Sequence, residues 1–341
     1  MSTPRIRRSR AAAGALAALA LAGAIAAATS TAAPAPATVK IALDWTPNVN
    51  YLGIYVAITK GYFAAQDITP VVLPYANASA EQLIQAGQTD LGISYPPDVI
   101  INNADGTLQY RALAALVTDN TTALAVLASS PYTRPAQLSG KIYGGFGIAS
   151  DKPLVTSIMR ADGVKDPVFK QLILGTDQIT ALAAHRIDYT AVFDGIDNVT
   201  AAIQGIKLRT FLYRRYLGAA GDYPNAVFVA SDRDIAARGP ILARALKALA
   251  EGYEYAAAHP AAAERILIDD NRTALGSASG TRITDATGNA TAPQFDDRAG
   301  VWGPETNADY AGLERILARA HLIKRSPALS TLYSNALLPG G

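Results

Sequence analysis

The chain of 341 residues contains no cysteine. That excludes disulfides, thiolate metal sites and a cysteine nucleophile, and also a lipid-bearing cysteine behind an export signal. Histidine is scarce. His185, His259 and His321 are far apart, each on a predicted helix, and none is spaced from carboxylates as metal ligands would be. Helix-end or surface places suit them, and no Ser-His-Asp constellation is visible. An excess of one charge is also lacking: the formal net charge of +2 is evenly spread, which gives no electrostatic footprint for nucleic acid. A phosphate loop is missing too, because Gly144-Gly-Phe-Gly147 has neither a Lys-Ser/Thr ending nor the GxGxxG spacing.

What is present is apolar. With 50% hydrophobic residues the chain can bury one large core or two modest ones. The start reads as an export signal. Arg5, Arg7, Arg8 and Arg10 form a basic region, Ala11 to Ala28 an apolar run, and small residues follow. A membrane anchor is the rival reading, but the run is poor in strongly apolar residues and leads into Pro34-Ala-Pro36. Cleavage is expected between Ala28 and Thr38, giving an exported, periplasmic, soluble protein. The Arg7-Arg8 pair alone does not decide the export route.

The organising stretch runs from Val39 to Phe63. Val39, Ile41, Leu43 and Trp45 alternate with Lys40, Ala42 and Asp44, the period of a strand. Pro47 and Asn48 stop it. A helix follows with Tyr51, Ile54, Tyr55 and Ile58 on one face and Gly61 at its end. The strand thus delivers Asp44 and Trp45 to a turn, the edge where open α/β sheets bind ligands. The same pair can also be purely structural.

Downstream, Ile68–Tyr75 is a second strand, and Ser79 with Gln82 forms a capping box. Asp90–Tyr95 is a third strand, closed by Pro96-Pro97, and Leu108–Val117 is a fourth apolar segment. This order implies a parallel sheet with right-handed crossovers. Leu124–Ala128 is expected to cross to a second lobe. There the rhythm restarts: strands at 141–146, 168–174, 188–193 and 208–213, with helices from Asp151, Gln178 and Ile196. Val227–Ala230 is the return crossing. A helix then carries Leu242, Leu246, Leu249 and Tyr253 as a buried stripe. Residues 269–294, rich in Thr, Ser, Gly, Asn and Ala, read as a surface excursion without a role.

Leu43-Asp-Trp-Thr-Pro-Asn48, then Gly53, Ala57 and Gly61-Tyr-Phe63, resembles the opening of the thiamine-pyrimidine-precursor (NMT/THI-like) branch of ABC-transporter substrate-binding proteins, and further matches run to about Ile323. The resemblance implies a type II periplasmic binding protein fold: two α/β lobes, two crossover segments and a ligand cleft between them. Residues 1–37 would be signal and linker, 38–127 the first lobe, 128–226 the second, and 227–341 the return to the first. It implies a monomeric solute-binding component that hands a small planar heterocycle to a membrane permease and, through it, an ATPase. No cofactor and no catalysis are expected.

Each candidate ligand residue has a plain alternative. Trp45 and Tyr51 can stack on a planar ring or simply pack; many relatives carry histidine where Tyr51 stands. Ser94, Tyr95, Asn120 and Thr121 follow strand ends and can fix a polar ring or only close turns. Gly145, Phe146 and Gly147 form a loop exposing backbone N–H groups. Asp194, with Asp197 and Asn198 beyond it, can accept from an exocyclic amine or cap the next helix. Tyr223 and Asn225 fall where similar proteins tend to carry tyrosine and then glutamate, so Asn225 departs from the pattern. The resemblance also reaches a eukaryotic pyrimidine-precursor synthase that consumes its own histidine. Its cysteine-rich iron site is impossible here, and Asp98 falls roughly at the sacrificial position. A ligand sensor for a membrane receptor would need the same fold.

Overall fold

Alternating apolar strands and amphipathic helices assemble into two five-stranded sheets. The computed structural model describes residues 35–75, 78–106, 108–175, 178–296 and 300–340. The expected signal and its cleavage site lie almost wholly outside them. Residues 36–341 form one unit, and no helix among the described residues is long and apolar enough to cross a membrane.

The first sheet has the order β2-β1-β3-β10-β4. Its strands are β1 (Ala37–Ala42), β2 (Ile68–Leu73), β3 (Leu91–Ser94), β4 (Tyr110–Ala115) and β10 (Val227–Ser231). β1 pairs in parallel with β2 and β3, whereas β10 lies antiparallel between β3 and β4. The second sheet repeats the pattern as β7-β6-β8-β5-β9. It contains β5 (Thr122–Leu127), β6 (Ile142–Gly145), β7 (Lys170–Ile173), β8 (Tyr189–Phe193) and β9 (Leu208–Leu212), with β5 antiparallel to both neighbours. The change of sheet therefore falls at 116–121, and the strand from Thr122 belongs to the second sheet, not to the first lobe. The return falls before Val227, and Val227–Ala230 is itself a strand of the first sheet.

Local signals set the helices. Val49–Tyr51 makes a short turn capped by Asn48, and α1 (Leu52–Thr59) follows it. Gly61, at φ 76°, turns the chain into α2 (Tyr62–Ala65), a conformation that glycine adopts without a Cβ penalty. Ser79 and Gln82 make the reciprocal capping box of α3 (Ala80–Gln85). Pro96 opens α4 (Pro96–Asp105), and α5 (Asp151–Ala161) and α6 (Gln178–Ala183) cover the second sheet. After the turn Asp194–Asn198 come α7 (Val199–Ile203) and, past β9, α8 (Tyr213–Leu217).

The long α9 (Asp232–Ala258) buries Leu242, Leu246, Leu249 and Tyr253 against α1. Their crossing is close: a Cβ on Gly252 would sit 2.1 Å from the Gly53 carbonyl oxygen. α10 (Pro260–Asp270), α11 (Arg272–Leu275), α12 (Ala278–Thr291) and α13 (Asn307–Arg319) complete the chain. α13 packs on α4 and also on α5, so the closing segment touches both lobes. The stretch expected to be a surface excursion is largely helical, and Thr284, Thr287 and Thr291 of α12 are buried. All three histidines stand at helix ends, His185 and His321 with positive φ.

Candidate ligand-binding site

The carboxyl ends of β1 and β3 face those of β6 and β8 across a cavity of about 770 Å³. Of the residues singled out in the sequence, Asp44, Trp45, Asn48, Tyr51, Tyr95, Phe146 and Tyr223 line it. The Asp44 carboxylate accepts hydrogen bonds from the Tyr51 hydroxyl at 2.8 Å and the Tyr95 hydroxyl at 2.6 Å. Burial raises its pKa above the usual carboxylate range, and these two donated bonds oppose the rise. Asn48 Oδ1 caps the turn that follows it, accepting from the Asn50 N–H at 2.9 Å.

Aromatic rings close the cleft from both sides. Trp45 lies 5.3 Å from Tyr75 and meets Phe146 of the second lobe edge to face, while Tyr95 stacks on Phe193 at 6.1 Å. Such pairs contribute about 0.5–1.5 kcal/mol each beyond burial.

The remaining seven candidates are absent from the cavity wall, each for a visible reason. Asn120, Thr121 and Asn225 knit the two crossings together. The Asn120 amide donates to the Gly221 carbonyl at 2.8 Å, and the Asn225 amide to Thr121 Oγ1 at 2.7 Å. These bonds join the segments that link the two sheets. Ser94 is buried and donates to Glu81 at 2.5 Å. Gly145 is packed beneath Asp151, and the Gly147 N–H is spent on that carboxylate at 2.8 Å. The loop expected to expose free N–H groups is thus already occupied by an acid of the chain itself. The Asp194 carboxylate accepts from the Asn198 amide at 3.2 Å, and its neighbour Asp197 takes the place on the wall.

The structure adds wall residues that are not among the candidate ligand contacts, although the sequence singles out Asp98 and Asp197 for other reasons. Glu81, Asp98, Asp151 and Asp197 line the cavity with Asp44. Burial pushes Asp98 up to about 8, with Glu81 and Asp151 adding like-charge repulsion. Burial likewise pushes Asp197 up to about 6 against the Phe193 N–H that it accepts at 2.7 Å. Gln178 is buried with Nε2 unpartnered. Leu275, Ile283, Thr284 and Thr287 come from the region given no role. Among the described residues that line the cavity, none is lysine, arginine or histidine. A second cavity of about 260 Å³ adjoins the first and shares Glu81 and Asp98 with it.

Two lobes of this topology, each with one antiparallel strand taken from a crossing segment, define a periplasmic binding protein fold. The alkanesulfonate-binding protein SsuA from Xanthomonas axonopodis pv. citri, bound to MOPS, has this fold at TM-score 0.67 and 16% identity, covering 89% of this chain and 99% of that one. The aliphatic sulphonate binding protein SsuA from Escherichia coli gives TM-score 0.64 at 15% identity, over 87% and 91%. The chain belongs to the NMT1/THI5-like family, whose profile matches residues 48–263. A relative named formylaminopyrimidine-binding protein, from Halalkalibacterium halodurans, is 26% identical over 233 residues, 68% of this chain and 70% of that protein. These relatives are named as binding proteins, not enzymes.

Proposed function

We propose that this protein is the solute-binding component of an ABC importer, exported to meet its permease, and that it carries a planar heterocycle bearing an amine or a cationic nitrogen, of the formylaminopyrimidine kind. One observation carries the ligand class: among the described residues, the cavity wall combines aromatic faces with five carboxyl groups and no basic side chain. A sulfonate would bury its charge among carboxylates, which is unfavourable. An amine donor instead gains charge-assisted bonds to Asp98 or Asp197, about 1.5–3 kcal/mol each. Trp45, Tyr95 and Phe146 supply flat apolar area for the ring.

Titration calorimetry tests the reading. A formylaminopyrimidine should bind tightly, while alkanesulfonates and MOPS should give no measurable heat. Tight sulfonate binding, or repeated turnover of the pyrimidine into product, overturns it.

A further inference from the structure

We propose that α12 is a third wall of the ligand cavity and the fastener of the closed cleft, so that ligand exchange requires it to leave the second lobe. The name "ligand cavity" rests on the function proposed above; the fastening does not. α12 lies beyond the family match, which ends at residue 263.

Three sets of contacts support the role. On the first lobe α12 packs on α10 and on the Val49–Tyr51 turn. The seat on α10 is tight: a Cβ at Gly288 would fall 2.2 Å from Glu264 Oε1, a buried carboxyl oxygen without a hydrogen-bond partner. On the second lobe α12 packs on the Asp194–Asn198 turn and on α7. There a Cβ at Gly195 would stand 3.8 Å from Thr291 Oγ1. Between these seats, Ile283, Thr284 and Thr287 form part of the cavity wall. The Thr284 and Thr287 hydroxyls donate to Gly280 and Ile283 carbonyls of their own helix at 2.9 and 2.8 Å.

The far end of α12 is anchored at the hinge. Thr118, in the first crossing, donates its N–H to the Gln294 carbonyl at 2.9 Å and its hydroxyl to the Asp296 carbonyl at 3.0 Å. The helix is thus held at the first lobe and beside the hinge, and reaches the second lobe only through its side. Rotation of the lobes apart must break that last contact.

The absence of cysteine makes the test clean. A Gly195→Cys, Thr291→Cys double variant holds two thiols only, at a separation that modest adjustment brings into disulfide range. Oxidised without added ligand, it should show amide exchange in peptides 45–51 and 191–197 slowed at least about tenfold relative to its reduced form, as expected when local opening is blocked. Gly288→Ala, which pushes α12 off Glu264, should change the same peptides in the opposite direction, at least about tenfold faster. Formylaminopyrimidine loaded before oxidation should also leave more slowly. A disulfide that forms and leaves exchange unchanged overturns the proposal, as does Gly288→Ala with wild-type exchange. If formylaminopyrimidine fails to bind the wild-type protein, the ligand assignment falls while the ligand-free exchange still decides the role of α12.

Discussion

Trp45 and Phe146 meet edge to face across the cleft, ring centroids 6.0 Å apart at 85°. One stands just past the end of β1 and the other just past the end of β6, so the two lobes touch each other through aromatic rings at the cleft.

The chain has two tryptophans, and the other, Trp302, is buried in the core. Ligand-dependent change in tryptophan emission should therefore come from Trp45. Trp45→Phe should abolish that change and keep most of the affinity, whereas Trp45→Ala should weaken binding roughly tenfold or more, at about 1.4 kcal/mol per decade. An emission change that survives in Trp45→Phe would contradict this.

Asp197 and Asp194 separate selection from capping. Asp197 borders the cavity; Asp194 bonds Asn198 and does not. Asp197→Asn should weaken amine-bearing pyrimidines at least about fivefold and spare analogues without the amine, the scale of one charge-assisted bond. Asp194→Asn should leave both near wild type. Calorimetric titration of the two variants with the two ligand sets checks it, and equal losses in both variants would refute it.

Asp98, pushed up to about 8 by burial beside Glu81 and Asp151, should hold a proton at neutral pH in the ligand-free protein. A cationic ligand favours the carboxylate, so binding at pH 7 should release a proton. Affinity should rise with pH and level off above about 8. Calorimetry at pH 7 in buffers of different ionisation enthalpy should show the release, and Asp98→Asn should remove it. Binding heats independent of buffer would tell against Asp98.

Glu305 predicts how stability varies with pH. It is buried beside the Tyr310 hydroxyl and pushed from 4.5 up to about 8 by burial. Between these values the folded chain holds a proton that the unfolded chain has lost. Stability is therefore full below about 4.5 and declines as pH rises toward about 8, by up to about 1.4 kcal/mol per pH unit for one such group. Glu264 and Asp98 act in the same direction. Urea midpoints from pH 5 to 9 should fall, and Glu305→Gln should flatten the decline. An unchanged slope in that variant would remove Glu305 from the account.

Much of the fold was legible because its signals are local. The β1 alternation, Gly61 at its left-handed turn and the Ser79–Gln82 box each decide geometry within a few residues. Of the candidate wall, the sequence points to residues it carries to a strand end, as with Asp44, Trp45, Tyr95 and Phe146, and to Asn48, Tyr51 and Tyr223 in turns. Glu81, Asp98, Asp151 and Asp197 come from four different elements, and only the tertiary fold gathers them. Asn120, Thr121 and Asn225 have the composition of ligand contacts, but they bond the segments that link the two sheets to one another. α12 was hidden by its Thr, Gly and Ser content, which resembles a loop until Glu264 and the Asp194–Asn198 turn offer it surfaces to pack on.

The place of β10 also sets an order of assembly. β3 and β4 are joined through β10, so the first sheet stays open until Val227–Ser231 arrives, whereas the second sheet uses only residues 122–212. The second sheet can form from one continuous stretch, while completion of the first requires closing a loop that contains the whole second lobe. Pulse-labelled exchange during refolding should find β6 and β8 protected before β10, and the reverse order would exclude this route. A chain emerging from its amino end thus carries its first four strands unfinished, with an unpaired edge where β10 belongs, until most of its length has appeared.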